Sequence, residues 1–261
     1  MILDEHLARH LHVESLRRRD VHAEHDPHVL FQASTIGALL DGAYDGDLSF
    51  AELAEHGDLG LGTLNALDGE MIALDGRFYR ADVDGHLAEI RPDARTPFAA
   101  VAWFEPAIER PLEGSIEHRR FLATLDELIG DPEVTCAIRV DGEFELVRAR
   151  SVPRQEPPYR PLAEVVSDQH VFELAEARGS LIGFRFPPYA EGLEVSGYHL
   201  HFATADLKRG GHVLECRPRG VVARLEPSAE LHVELPPDVD LDAPQLDEAT
   251  RSALERVERQ G

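Results

Sequence analysis

The chain has 261 residues, 43% of them hydrophobic and 29% charged, which is typical of a globular protein with a sizeable core. Its formal net charge of −23 argues against nucleic acid as a partner, because phosphate neutralisation needs clustered Lys and Arg. No run of residues approaches the roughly 18 apolar positions of a membrane span. The N-terminus lacks signal-peptide features, and the two cysteines lack metal-type spacing, so we expect a cytoplasmic protein that does not bind a membrane.

Residues 1–28 form a polar N-terminal extension that is rich in histidine. Leucines between Leu3 and Leu16 give part of this extension a weak helical stripe. The histidine spacings do not repeat, and no Cys or acidic residues are ordered with them, so a solvated helical extension is favoured over a metal site. The histidines are His6, His10, His12, His22, His25 and His28.

Residues 29–155, the predicted N-terminal α/β half, mix helical patterns with hairpin signals. A short helix is predicted at residues 35–40, and apolar residues at helical spacing predict a longer one over 116–129. Ser49 and Glu52 have the spacing of a capping box that opens another helix. Asp75-Gly76 and Asp141-Gly142 each stand between alternating apolar residues, which predicts two β-hairpins.

Residues 156–261 are predicted to form a C-terminal, β-rich half with a C-terminal tail. Four prolines between Val152 and Leu162 mark the division. Pro161 suits the first turn of a helix that would run to about Arg178, and a last helix is expected over residues 247–260. Strands are predicted between these helices, at residues 181–186, 193–204, 212–225 and 230–235. The fold class is therefore α/β (α+β, β-rich), with mixed sheets in two closely packed halves.

Three histidines in the C-terminal half could converge on one point. His199 and His201 project from the same face of a predicted strand, because side chains alternate along a strand. His212 follows Gly210-Gly211, placed here in a turn, on the next strand. Three neutral imidazoles with an open fourth position are typical of a catalytic zinc site. The alternative is that these are half-buried strand histidines with no ligand, which is the commoner case for an isolated His-x-His pattern. Three imidazoles also accept Co²⁺, Ni²⁺, Cu²⁺ or Fe²⁺.

Polar residues elsewhere are candidates for the surroundings of such a metal. Glu70 stands where a turn passes into an apolar strand, so its carboxylate lies either at the solvent rim or inside a site. Arg148 and Arg150 share a strand face, either as an exposed charged surface or as a carboxylate-binding pair. The signatures of dinucleotide binding, phosphate-loop nucleotide hydrolysis, serine hydrolases and common zinc proteases are missing.

Nine short motifs in order give the chain a resemblance to the α-acetolactate decarboxylase family over about residues 30–225. The motifs are STIGALLDG at 34–42, YDG at 44–46, HGDLGLGT at 56–63, NALDGEM at 65–71, TPFA at 96–99, VPRQ at 152–155, PYRPL at 158–162, GYHLHF at 197–202 and GGHVL at 210–214.

The resemblance implies a role for particular residues. His199, His201 and His212 match the family's zinc ligands, and Glu70 matches an active-site carboxylate. Arg150 matches the active-site arginine, with Arg148 as the alternative. The family also brings a tail glutamate into the site, for which Glu258 competes with Glu255, and Thr63 is expected to line the pocket.

The implied reaction is zinc-dependent decarboxylation of 2-acetolactate to (R)-acetoin and CO₂, by a homodimer that needs no organic cofactor. The implied fold is an α/β protein whose sheet-rich halves pack together. One alternative is the same scaffold acting on another 2-hydroxy-3-keto acid, such as acetohydroxybutyrate. A second is a non-catalytic metal-binding β module.

Overall fold

The computed structural model of the chain describes residues 12–16, 28–228 and 230–235, with the backbone alone at 12–16. The helices in these residues are α1 (Ile36–Leu40), α2 (Phe50–Leu53), α3 (His118–Ile129) and α4 (Leu162–Val165), with short 3₁₀ turns at Asn65–Leu67, Val166–Asp168 and Pro188–Ala190. The strands are β1 (His12–Leu16), β2 (Val29–Ala33), β3 (Leu48–Ser49), β4 (Leu59–Thr63), β5 (Glu70–Leu74), β6 (Arg77–Ala81), β7 (Leu87–Glu89), β8 (Arg95–Thr96), β9 (Ala99–Ala102), β10 (Ile108–Ser115), β11 (Thr135–Ser151), β12 (His170–Phe186), β13 (Gly197–Thr204), β14 (Gly210–Ser228) and β15 (Glu230–Glu234).

Eight strands form the first sheet, in the order β1-β15-β2-β9-β4-β5-β6-β7. β15 is parallel to both β1 and β2, and the other pairs are antiparallel, so the sheet is mixed. β3 and β8 form a separate two-stranded ladder beside it.

The second sheet is antiparallel and has the order β10-β14-β11-β12-β13. β13 also pairs with the start of β14, which curls the sheet back onto itself. Phe144 and Phe202 meet edge to face inside this curl, with 5.0 Å between ring centroids. Phe121 of α3 belongs to the same buried cluster, so the helix covers this part of the core.

An apolar layer joins the two sheets. Leu61 and Ile72 of the first sheet share a buried cluster with Ile182 and Phe184 of the second. Strands β10 and β11 precede the proline-rich segment yet lie in the second sheet, whereas β15 follows it and lies in the first. Each sheet therefore uses strands from both sides of residue 155, and the domain division at that residue stays a prediction. The fold class, α/β and β-rich with sheets that pack together, is confirmed, and of the two large sheets the first is mixed.

Several predicted local elements are present. The Thr35 side chain caps α1 by accepting a hydrogen bond from the Ala38 amide, and the Ser49–Glu52 capping box is complete at α2. Asp75 and Gly76 both have positive φ, 53° and 73°, in the β5–β6 hairpin. This is the conformation that a two-residue type I′ turn requires.

The second hairpin prediction, at Asp141-Gly142, was wrong. Both residues lie inside β11, which runs unbroken between β12 and β14. Gly142 serves a close strand approach, because a Cβ there would be 2.7 Å from the Gly220 carbonyl oxygen. Pairing on both edges satisfies the backbone of an extended chain, and this long-range effect outweighs a local turn signal.

Two helix predictions also need correction. The helix that begins after Pro161 ends at Val165, and a 3₁₀ turn follows it. Residues 170–178 instead belong to β12, where pairing with β11 outweighs the high helix propensity of Glu, Leu and Ala. In the N-terminal extension, residues 12–16 form a strand, not a helix. The predicted helix at 247–260 lies outside the described residues.

No helix within residues 28–228 has the length and apolar character that a membrane span requires.

Candidate metal centre

The three histidines singled out in the sequence lie together in the second sheet. His201 of β13 is directly opposite His212 of β14, and His199 lies one strand repeat before His201. The three side chains offer ring nitrogens within 4.8 Å of one another, and the ring centroids are 5.2 to 5.3 Å apart. All three residues are buried, with exposures of 6%, 0% and 1%.

The Gly210-Gly211 pair lies in β14 and not in the turn before it, which corrects the predicted placement. A Cβ on Gly210 would be 2.4 Å from the Phe202 carbonyl oxygen, and one on Gly211 would be 2.8 Å from that of Arg150. These glycines let β14 approach β13 and β11 closely, which brings His212 opposite His201.

The surroundings of His201 determine which ring nitrogen carries its proton. Its Nδ1 is 2.8 Å from the Met71 carbonyl oxygen, which can only accept, so Nδ1 is the donor and Nε2 carries the lone pair. Nε2 is buried, makes no hydrogen bond to any described residue, and lies 3.7 Å from Glu70 Oε2. Burial, followed by His199 and then Arg150, lowers the pKa of His201 well below its ordinary value, against the opposing effect of the Met71 hydrogen bond. The imidazole is neutral at pH 7, the form that binds a metal.

Glu70 and Arg150 form a buried ion pair beside the histidines. Arg150 Nη1 donates to Glu70 Oε1 at 2.9 Å, and the two side chains are only 6% and 9% exposed. Arg150 lies opposite His212 in the β11–β14 pairing, so the register of the second sheet positions both. Glu70 comes from the first sheet, and the site therefore spans the two sheets.

A strained turn delivers Glu70 to the site. Ala66 and Leu67 have positive φ values of 61° and 51°, which are uncommon for residues other than glycine. The turn is held from two sides, since the Ala66 carbonyl accepts from the Gln155 amide at 2.7 Å and the Gly69 carbonyl accepts from Thr63 Oγ1 at 2.8 Å. The Thr63 hydroxyl therefore fixes the backbone immediately before Glu70.

A small cavity opens on this group of residues. Glu70, Arg150, His199 and His212 line its polar side, and Thr63 lies at its wall. The apolar wall of the cavity consists of Ile36, Leu39, Leu67, Phe98, Val152 and Leu162. The cavity lining thus combines charged groups and imidazoles with apolar side chains, which suits a small anionic molecule with alkyl groups.

Only some of the site residues predicted from the sequence line this cavity. Arg148 is half-buried on β11 and does not line the cavity, whereas Arg150 does. Glu255 and Glu258 lie outside the described residues. Sequence reasoning missed the Met71 carbonyl, the apolar wall and the buried carboxylate of Glu194, which lies 3.8 Å from His199 Nδ1. Spacing carries no signal for these, because they reach the site through tertiary packing.

The donor set fits a metal ion with three imidazole ligands. The Met71 carbonyl leaves the His201 Nε2 lone pair facing the other histidines, and a backbone acceptor behind a ligand histidine is a common feature of metal sites. A nearby carboxylate and an adjoining cavity leave room for further ligands or substrate.

The fold and the site together define a strand-rich α/β protein with a buried three-histidine cluster that opens on a small polar cavity. The family model described as alpha-acetolactate decarboxylase matches residues 30–248. The chain belongs to the alpha-acetolactate decarboxylase family.

Individual relatives agree with this assignment. The alpha-acetolactate decarboxylase of Methylococcus capsulatus is 45% identical over 88% of this chain and 90% of its own length. That of Klebsiella aerogenes is 39% identical over 90% of this chain and 92% of its own. The crystal structure of alpha-acetolactate decarboxylase from Bacillus subtilis strain 168 is 35% identical, has a TM-score of 0.84, and matches over 88% of this chain and 99% of that one.

Proposed function

We propose that this chain decarboxylates 2-acetolactate to (R)-acetoin and CO₂, with Zn²⁺ bound by His199, His201 and His212. The observation that carries the proposal is the buried Glu70–Arg150 pair on the wall of the cavity that His199 and His212 line. The relatives above bear the name of this activity, and the apolar wall suits the two methyl groups of the substrate.

The substrate carboxylate would bind Arg150. A guanidinium binds a carboxylate through two parallel hydrogen bonds, and Arg150 already donates to one carboxylate in the structure. Holding the carboxylate out of the plane of the neighbouring ketone aligns the breaking C–C bond with the carbonyl π system. The bond electrons then pass to the ketone as CO₂ leaves, giving an enediolate.

Glu70 would act as the acid–base group for the tertiary hydroxyl of the substrate. Its Oε2 lies 3.7 Å from His201 Nε2, so the carboxylate faces the same space as the imidazoles. It can accept the hydroxyl proton and return it as charge develops on the substrate oxygens. Protonation of the new carbon from one face, with a proton that is ultimately taken from solvent, would give (R)-acetoin. Glu258 of the tail, with Glu255 as the alternative, remains the proposed further carboxylate.

Zn²⁺ bound at the three histidines would supply Lewis acidity, which lowers the energy of the negative charge that forms on the substrate oxygens. The protein groups around it exclude bulk water, since all three imidazoles are buried. Electrostatic interactions are stronger in such a site than in water.

The test is acetoin formation from racemic 2-acetolactate by the purified protein, before and after chelation and again after Zn²⁺ is returned. The proposal expects activity that chelation removes and Zn²⁺ restores, with chiral chromatography showing (R)-acetoin. His199→Ala should lose metal and activity together, whereas the exposed His170→Ala should lose neither. Stoichiometric metal with no acetoin would refute the proposed reaction.

Light scattering tests the accompanying proposal of a homodimer. A homodimer has twice the 29.0 kDa mass of the chain. A monomer mass at micromolar concentration would contradict it.

A further inference from the structure

Glu194 is a fully buried carboxylate next to the three-histidine cluster, although it belongs to neither sheet. It lies in the loop between the 3₁₀ turn Pro188–Ala190 and β13, and its exposure is 0%. An ionised carboxylate is costly to bury without compensating partners. Its Oε2 accepts a hydrogen bond from the Val195 amide at 3.1 Å and lies 3.8 Å from His199 Nδ1.

The loop that carries Glu194 is anchored to the cavity wall. The Glu194 amide donates to the Ala190 carbonyl at 3.0 Å. The neighbouring Leu193 carbonyl accepts from the Ile36 amide at 3.0 Å and from Gln32 Nε2 at 2.8 Å. Hydrogen bonds from the Ile36 amide of α1 and the Gln32 side chain of β2 thus hold the backbone of this loop beside the cavity.

Each of the two histidines of β13 has an oxygen acceptor on the Nδ1 side of its ring. His201 has the Met71 carbonyl at its Nδ1, and His199 has the Glu194 carboxylate on the Nδ1 side. A neutral imidazole carries one proton, and an acceptor near Nδ1 favours the proton there. The lone pair is then on Nε2. A carboxylate behind a ligand imidazole also makes it a stronger donor to a metal ion than a neutral carbonyl does.

We propose that Glu194 is a positioning residue for the metal: it holds His199 in the Nδ1–H tautomer with Nε2 available as a ligand. This role requires the 3.8 Å separation between Glu194 Oε2 and His199 Nδ1 to close to hydrogen-bond distance when the metal binds. This inference rests on the metal site of the proposed function but not on the identity of the substrate.

The test compares metal affinity in Glu194→Gln and Glu194→Leu with that of the parent, by competition with a chromophoric chelator in the absence of substrate. Gln keeps a neutral acceptor, whereas Leu removes it. We expect Zn²⁺ affinity to fall about tenfold in the Gln variant and about 100-fold in the Leu variant, as for other partners of ligand histidines. The visible spectrum of the Co²⁺-loaded protein should change in the same order.

Glu226→Gln is the matched control, because Glu226 is also fully buried and also accepts backbone amide protons, from His28 and Glu105. This variant should keep the parent's metal affinity even if its unfolding temperature changes. Equal affinity within twofold in the parent and both Glu194 variants would overturn the proposal, as would an equal loss in Glu226→Gln. If the Leu variant does not fold, the Gln variant alone decides.

Failure of the proposed function would look different. A parent protein that binds metal but forms no acetoin would refute the proposed reaction, while weaker binding in Glu194→Gln would still support the role of Glu194. A parent protein that binds no metal would overturn the role of Glu194.

Discussion

Arg150 and Glu70 are 80 residues apart in sequence but form a buried ion pair, with Nη1 and Oε1 separated by 2.9 Å. Arg150 belongs to β11 of the second sheet and Glu70 to β5 of the first, so the pair links the sheets at the site. Removing one partner of a buried pair leaves an uncompensated charge, which commonly costs about 3–5 kcal/mol. The pair therefore connects the stability of the sheet interface with the chemistry of the cavity.

Glu70→Gln should retain the metal and lose most of the turnover. The amide has the shape of the carboxylate but cannot accept a proton, and loss of a general base commonly lowers kcat by about 10²- to 10⁴-fold. Steady-state kinetics with 2-acetolactate and metal analysis of the same sample provide the measurement. A fully active Glu70→Gln protein would rule out this role.

Arg150→Lys should raise KM and lower kcat even though the charge is kept. The ammonium group cannot make the parallel double hydrogen bond that a guanidinium makes to a carboxylate. Arg148→Lys is the matched control, since Arg148 is on the same strand, two positions away, and does not line the cavity. Similar kinetic effects in both variants would contradict an assignment of substrate binding to Arg150.

Leu39→Ala should relax the selection between 2-acetolactate and acetohydroxybutyrate. Leu39 lies in the apolar wall, and truncation makes room for the extra methylene, which is worth about 1–3 kcal/mol in an apolar pocket. We expect the ratio of kcat/KM values to move by about tenfold toward the larger substrate. Leu40→Ala, also buried in α1 but not on the cavity wall, is the control. An unchanged ratio of kcat/KM values in Leu39→Ala would show that Leu39 does not contact the alkyl group of the substrate.

His118 should make the stability of the metal-free protein depend on pH. Burial lowers the pKa of His118, against the opposing effect of Glu215 and with a smaller contribution from Arg119. Its Nδ1 accepts a hydrogen bond from the Cys216 amide at 3.2 Å, which joins α3 to β14. Below about pH 6.5 the unfolded chain binds a proton at His118 more readily than the folded protein does. The stability that the neutral His118 imidazole contributes is therefore present above that pH and is lost as the pH falls.

The measurement for His118 is urea unfolding of the parent and His118→Ala between pH 5 and pH 7.5. The variant should lose about 1 kcal/mol of unfolding free energy at the upper pH, where the hydrogen bond exists, and less at the lower pH. The exposed His86→Ala should follow the parent. A His118→Ala deficit that stays constant over this range would show that the imidazole does not titrate in this way.

Local patterns in the sequence determined much of the secondary structure and some of the site. Strand alternation alone puts His199 and His201 on one face, and the Asp75-Gly76 turn needs only two residues that tolerate positive φ. The capping box at Ser49 is equally local. These features depend on interactions between residues within a few positions of one another, so a short stretch of sequence is enough to predict each of them.

Tertiary structure decided the rest, because it depends on contacts between distant segments. The same Asp-Gly signal forms a turn at residue 75 but lies inside a strand at residue 141, where neighbouring strands pair on both sides. The register of β14 places His212 opposite His201 and Arg150, and sheet packing brings Glu70 to them. Glu194 reaches His199 through a loop fixed to α1. Alternation along a strand is set by the backbone, whereas register and packing are set by which distant side chains can be buried together.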